Sequence, residues 1–192
     1  FVAGVDLALF KKNQTRKDME NLVRRMHCLF RNIEKSNLPV VAAINGTALG
    51  GGYELCLACH YRIALDTPQS QIGLPEVTVG LLPGAGGTQR LPRLIGYEKA
   101  IPLILQGIKL KPAQAKENGL VDSLARDLKN LKEQSVHWIL KTPKSIQPWD
   151  EEGFKIPGGD VMSAKGQMFF AQLNAKTREK TFGNYPAPHS VL

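Results

Sequence analysis

Glu54 stands two residues beyond a run of three glycines in ALGGGYEL, residues 48–55, which lies between a short apolar run and a helical stretch. Glycines in such a place let a ligand approach bare backbone, and N–H groups at a helix N-terminus point unpaired donors at an anion. A triple glycine alone is better explained by tight packing of a strand against a helix. The carboxylate shifts that balance, because a charge set just past donors able to hold an oxyanion is costly unless it has a task. A second carboxylate, Glu76, follows in Gly73-Leu74-Pro75-Glu76, within a segment otherwise nearly free of charge. Two carboxyls brought together in an apolar cleft push their pKa values apart, so that one holds a proton while the other accepts one. Addition or removal of water across a polarised double bond needs that pair of functions. Spacing by itself does not pair them, since two glutamates on separate elements are commonly unrelated.

Other motifs carry less. PGAGGT at 83–88 lacks the third glycine of a dinucleotide fingerprint, and no Gly-Lys-Ser/Thr follows to hold a metal-bound phosphate. It is expected to shape the loop behind Glu76 and to start the helix bearing Arg90 and Arg93. His27, His60, His137 and His189 share no spacing and have no serine in a nucleophile-elbow setting, which makes them core or solvated histidines. Cys56 and Cys59 form a CxxC without a second ligand pair and read as small buried side chains, while three cysteines make no disulfide framework and fit a reducing compartment. The formal charge of +8 suits an anionic ligand. Cations are spread along the chain without an Arg-rich arm or interleaved aromatics, which argues against nucleic acid, and no apolar run reaches the ~20 residues of a membrane span.

These groups need a scaffold, and 192 residues with 43% hydrophobic content suffice for one domain with a real core. FVAGVD reads as the end of a buried strand turning at Gly4, with Asp6 placed to cap a short helix. Met19, Leu22, Val23, Met26, Leu29, Phe30 and Ile33 recur at helical steps and predict an amphipathic helix over about 15–35. Short apolar strands are predicted at 40–44 and 61–65, the first closed by Asn45-Gly46 and the second by Asp66-Thr67-Pro68, with a helix at 53–59 between them. A glycine- and proline-rich connection over 73–87 carries Glu76, and loops of that length in compact domains tend to be functional. Helical patterns follow at 95–105, 113–120 and 128–140. The stretch 142–160 reads as a linker or surface arm, and a last helix over about 162–180 is stopped by GNYPAP.

With these pieces in order, the chain resembles the crotonase superfamily of enoyl-CoA hydratases and isomerases. Within it the match is to the hydratase half of bifunctional enoyl-CoA hydratase/3-hydroxyacyl-CoA dehydrogenases, the fatty oxidation complex alpha subunit type. AGVD at 3–6, ALGGGYEL, and GLPEVTVGLLPGAGGTQRLPRLIG at 73–96 carry the resemblance, and WDEEGFKIPGGD at 149–160 and GNYPAP extend it to the bifunctional subgroup. The resemblance implies an α/β fold: a crotonase-like spiral of ββα units forming two stacked sheets ringed by helices, with a helical C-terminal region. Residues 1–141 would form the hydratase core and 142–192 a linker arm and C-terminal helix.

Residue by residue, Val5 and Gly51 match the two positions whose backbone N–H groups bind the thioester oxygen. Glu54 matches the residue that activates water and Glu76 the one that exchanges a proton with the α-carbon. Ala3, Gly4, Asp6, Gly50, Pro75 and Gly84 flank these on the matched segments and are implied to line the substrate site. The implied reaction is reversible hydration of 2-trans-enoyl-CoA to 3-hydroxyacyl-CoA in fatty-acid β-oxidation. No metal or redox cofactor is implied, coenzyme A being part of the substrate. The implied setting is a homo-oligomer or larger β-oxidation complex in a bacterial cytoplasm, or alternatively a mitochondrial matrix or peroxisome. Isomerase or other acyl-CoA chemistry on the same fold, such as thioester hydrolysis, and a truncated non-catalytic acyl-CoA-binding module remain open, although keeping both glutamates favours hydration. Family members also carry strands before FVAGVD that help bind the CoA nucleotide, so the expectation is an N-terminally truncated core with an open sheet edge and poor hydration on its own.

Overall fold

The computed structural model describes residues 1–4 and 15–192. Thr15 starts the first helix, α1 (Arg16–Glu34), through a capping box in which its side chain accepts from the Asp18 N–H while Asp18 reaches back to the Thr15 N–H. The apolar stripe is used unevenly. Phe30 is buried with Met26 and Ile33 against Leu55 and Ala58, whereas Leu29, predicted on the same stripe, is 57% exposed.

Two turns of strand, strand and helix follow, and then a third in which a short helix separates the two strands. The first is β1 (Val41–Ile44), β2 (Ala48–Leu49) and α2 (Gly51–Ala58), and the second is β3 (Tyr61–Leu65), β4 (Ile72–Gly73), a 3₁₀ turn (Glu76–Val79), α3 (Gly87–Ile95) and α4 (Tyr97–Leu105). The third is β5 (Lys109–Leu110), α5 (Pro112–Glu117), β6 (Ser123–Ala125) and α6 (Leu128–Lys141). From β1 to β4 successive strands alternate between two sheets; β5 then stays beside β4 and β6 returns to the first sheet. One has the order β1-β3-β6, all parallel, and the other β2-β4-β5, with β4 parallel to β2 and antiparallel to β5. This is the ββα spiral expected from the resemblance.

The main core lies between the sheets and α2–α5, with Ile44, Tyr53, Leu57, Ile72, Leu91, Ile104 and Leu120 almost wholly buried. Each such side chain contributes roughly 1.5–3 kcal/mol by leaving water. Tyr53 also donates its hydroxyl to the Leu120 carbonyl at 2.8 Å, tying α2 to the turn that follows α5. The other face of the parallel sheet is covered by α6, where Leu131 meets Ile63 and Ala125 and Trp138 stacks on Tyr61 with centroids 4.8 Å apart. Cys56 and Cys59 lie in this core, their thiols donating to the Gly52 and Leu55 carbonyls, and burial pushes both up.

β3 carries a charge through this core. Arg62, its side chain 4% exposed, pairs with Asp122 at 2.7 Å, and Asp122 also accepts the Arg62 N–H at 2.7 Å, so one carboxylate joins β3 to the start of β6. Removing one partner of a buried pair strands the other. Asp122→Ala is therefore expected to cost about 3 kcal/mol, read as a fall in the urea midpoint, and a midpoint unchanged from wild type would show that Arg62 finds other partners.

Beyond α6 a 3₁₀ turn (Pro148–Asp150) is anchored by Gln147, which is buried and donates to the Ala58 carbonyl at 2.9 Å. Then come α7 (Ala164–Thr181) and α8 (Pro186–Val191). GNYPAP does end α7, but Pro186 also opens α8, because proline is well placed in a first helical turn. Among the described residues no helix is long and apolar enough to cross a membrane.

The opening segment departs from expectation. Residues 1–4 form no strand and are largely exposed; one hydrogen bond, from the Leu49 N–H to the Val2 carbonyl at 3.1 Å, lays them along β2 without the ladder a strand requires. Gly4 does turn, at φ 103°. The expected helix cap at Asp6 lies outside the described residues.

Candidate active site

The pairing of β2 with β4 brings the two glutamates together. Leu49 is in register with Gly73 and the strands are parallel, so both chains leave the sheet at the same end. One runs through Gly50 into α2 and reaches Glu54 in its first turn; the other runs through Leu74 and Pro75 into the 3₁₀ turn that begins at Glu76. Gly50 is the hinge of the first path. Its φ of 55° is left-handed, its N–H donates to the Gly73 carbonyl at 3.0 Å, and a Cβ there would sit 3.0 Å from Glu76 Oε1. A side chain at 50 would thus meet strain and the Glu76 carboxyl together.

The start of α2 supplies donors. Tyr53 and Glu54 return their N–H groups to the Gly50 carbonyl, and among the described residues the N–H of Gly51 has no acceptor. Glu54 is 2% exposed, and its Oε1 accepts the N–H groups of Ala85 and Gly87, each at 2.8 Å. Among the described residues nothing donates to its Oε2. The two bonds come from the loop ahead of α3, which folds back over α2. Burial pushes the Glu54 carboxyl up, and the Gly87 and Ala85 N–H groups oppose that, followed by the charges of Arg90 and His27.

Glu76 has no such clamp. Its Oε2 is buried, and among the described residues it has no hydrogen-bond partner. Burial, with the Glu54 charge adding to it against the favourable pull of its own backbone N–H, pushes the Glu76 carboxyl up to about 7. The site therefore holds one carboxyl whose ionised form is stabilised by two backbone donors and a second poised to carry a proton at neutral pH, both beside the Gly51 N–H at a helix start, which has no acceptor among the described residues. That arrangement can take a proton from water, give one to carbon, and hold negative charge on a carbonyl oxygen.

Of the expected site residues, Gly50, Gly51, Glu54, Pro75 and Glu76 gather at the ends of β2 and β4. Gly84 lies on the loop over them, and Gly4 approaches β2, where a Cβ would be 3.4 Å from the Leu49 carbonyl oxygen. Ala3 sits on the same opening segment and is exposed. Val5 and Asp6 lie outside the described residues. Sequence reasoning did not find the Ala85 and Gly87 donors. Nor did it find His27, read as a core or solvated histidine, whose Nε2 lies 2.7 Å from the Gly84 carbonyl oxygen and so touches the loop. The only signal for the loop donors was the PGAGGT motif, which does shape this loop and start α3.

Comparison with known proteins places these features in context. Residues 1–148 match the family model described as enoyl-CoA hydratase/isomerase. The chain is 41% identical over 199 residues to the fatty acid oxidation complex subunit alpha of Shewanella amazonensis, and 42% identical over 192 residues to that of Vibrio campbellii. Each alignment covers 100% of this chain but 27% of the relative, so the chain spans about a quarter of the length of these curated relatives. Among solved structures, an enoyl-CoA hydratase from Bacillus anthracis superposes with a TM-score of 0.65 at 41% identity, covering 72% of this chain and 52% of that one.

Proposed function

The chain belongs to the enoyl-CoA hydratase/isomerase family, and on that premise we propose that its site hydrates 2-trans-enoyl-CoA to 3-hydroxyacyl-CoA in fatty-acid oxidation. One observation carries the reading: Glu54, clamped through one oxygen by two backbone N–H groups, beside Glu76, whose buried carboxyl is pushed up to about 7. Glu54 Oε2 accepts a proton from water as the water oxygen bonds to C3 of the enoyl group. The C2–C3 π electrons move toward the thioester, whose oxygen takes the negative charge and is held by the Gly51 N–H, with the Val5 N–H as the second donor implied by the resemblance. The Glu76 carboxyl then gives its proton to C2. Water is added whole, and the two carboxyls exchange protonation states. The resemblance adds Ala3, Gly4, Asp6, Gly50, Pro75 and Gly84 as the surrounding substrate walls. These steps use protons and backbone dipoles alone, so the proposal includes no metal or redox cofactor, coenzyme A arriving with the substrate.

The names and bacterial sources of the relatives support the wider setting proposed here: a cytoplasmic protein that works in a larger β-oxidation assembly or as a homo-oligomer. In that setting residues 1–141 carry the hydratase core and 142–192 an arm and C-terminal helices.

The test is hydration of crotonyl-CoA, followed by loss of enoyl absorbance, for the 192-residue chain and for a version extended at its N-terminus with the preceding segment that the resemblance implies. Turnover of ~1–10³ per second is expected of the extended chain, with weaker turnover from the shorter one. Double-bond migration in a 3-enoyl-CoA without hydration would instead identify an isomerase, and no chemistry on either substrate would sink the proposal.

A further inference from the structure

The loop that clamps Glu54 is itself held from behind. Ala85 gives its N–H to Glu54 Oε1 at 2.8 Å, and its carbonyl accepts Arg90 Nη1 at 2.8 Å, so this residue is fixed at both ends. Between Ala85 and the second donor, Gly87, stands Gly86 with φ 102°, and a Cβ there would overlap Arg90 Nη1. The missing side chain is what lets the guanidinium lie across the loop. Arg90 is in turn anchored on α1: its Nε donates to Glu34 Oε1 at 2.6 Å, and its guanidinium carbon lies 5.8 Å from the centre of the Phe30 ring. Arg90 is 9% exposed and Glu34 only 3%. The other Glu34 oxygen accepts Arg31 Nη1 at 2.8 Å, and Arg31 also pairs with Asp150 on the arm.

A buried ion pair is an inefficient stabiliser, because desolvation consumes most of the Coulombic gain. Its geometry is a different matter. Arg90 joins α1 to the carbonyl of a loop residue whose N–H holds the catalytic carboxylate, and only a planar fork with donors in two directions spans that gap. We infer that Arg90, seated by Glu34 and admitted by Gly86, is a positioning residue that fixes the 85–87 backbone so that its two N–H groups hold Glu54 in a single orientation. This rests on the proposed hydratase reading for its catalytic consequence, though not for the geometry itself. A rival role exists, since the Arg90 charge also favours ionised Glu54 without any bond to the loop.

Arg90→Lys separates the two, because lysine keeps the charge and loses the fork. In the full 192-residue chain, Arg90→Lys and Arg90→Met are both expected to speed amide hydrogen exchange at Ala85 and Gly87 by at least ~10-fold while β3 amides keep their protection. Crotonyl-CoA hydration should fall about 10–100-fold in kcat with KM within about threefold, since a reacting group displaced by ~1 Å can cost ~10²-fold. Arg93→Met, one turn on from Gln89 on the same helix, serves as the control and should match wild type. Wild-type exchange and kcat in Arg90→Lys would overturn the inference in favour of charge alone, and a uniform loss of protection that includes β3 would overturn it in favour of general stability. If the Arg90 variants do not fold, Glu34→Gln, which keeps the acceptor and drops the charge, should show the same selective loosening at Ala85 and Gly87, and unchanged exchange there would also refute it. A wild-type chain without hydratase activity removes the proposed function, yet the exchange data still decide the positioning role.

Discussion

Glu76→Gln is expected to lower hydration of crotonyl-CoA by about 10²–10⁴-fold, the usual worth of a general acid, while acyl-CoA binding stays near that of the parent chain. Glutamine fills the same space beside Gly50 but has no proton to give to C2. The same substitution should raise stability above neutral pH. Burial and the Glu54 charge lift the Glu76 carboxyl from near 4.5 to about 7 in the folded chain, so the fold favours its neutral form. The stability this contributes is fully present below about pH 4.5 and is lost as pH rises through about 7. Glutamine stays neutral throughout, so the urea midpoints of variant and wild type should agree near pH 4 and separate in favour of the variant by pH 8. Full turnover in the variant would remove Glu76 from the mechanism, and midpoints that coincide at both pH values would show that the carboxyl is not strained by its setting.

Glu54→Gln should cost a similar ~10²–10⁴-fold through a different route. The glutamine carbonyl oxygen can still accept the Ala85 and Gly87 N–H groups, so the loop stays in place. The amide nitrogen then occupies the Oε2 position and cannot take a proton from water. Because the Glu54 charge helps to raise Glu76, the variant should also let the Glu76 carboxyl titrate at lower pH, a shift readable by carbon NMR of the labelled carboxyl without any turnover. Retained hydration, or a Glu76 titration that moves upward, would contradict the arrangement. The two variants together test the pair as a pair, since groups that act as a unit give losses that do not add.

Much of the scaffold was legible from periodicity. The apolar spacing from Met19 to Ile33 predicted α1 within a residue or so, the run at 61–65 coincides with β3, and the patterns at 128–140 and 162–180 correspond to α6 and α7. Strands β2, β4 and β5 were not legible, for they contain two residues each, too few for any alternation to register. Leu29 failed for the related reason that a stripe marks which face is apolar, not how far along the helix a neighbour covers it.

By itself, the amino-acid sequence determined the residue types available for chemistry: two glutamates in apolar surroundings, one behind a glycine run at a helix start, and the motifs that align them with a known family. Tertiary structure decided everything that makes those residues reactive. The Leu49–Gly73 register, not the interval between positions 54 and 76, brings both carboxyls to the same end of the paired strands, near enough for the Glu54 charge to act on Glu76. The donors that clamp Glu54 are main-chain N–H groups 31 and 33 residues away, and a backbone donor has no signature in residue type. Glu34 and Arg90, 56 positions apart, read separately as a polar residue near a helix end and a cation on another helix. The rise of Glu76 comes from desolvation, which depends on what other segments lay over a carboxyl, and that is a property of packing, absent from any local stretch of chain.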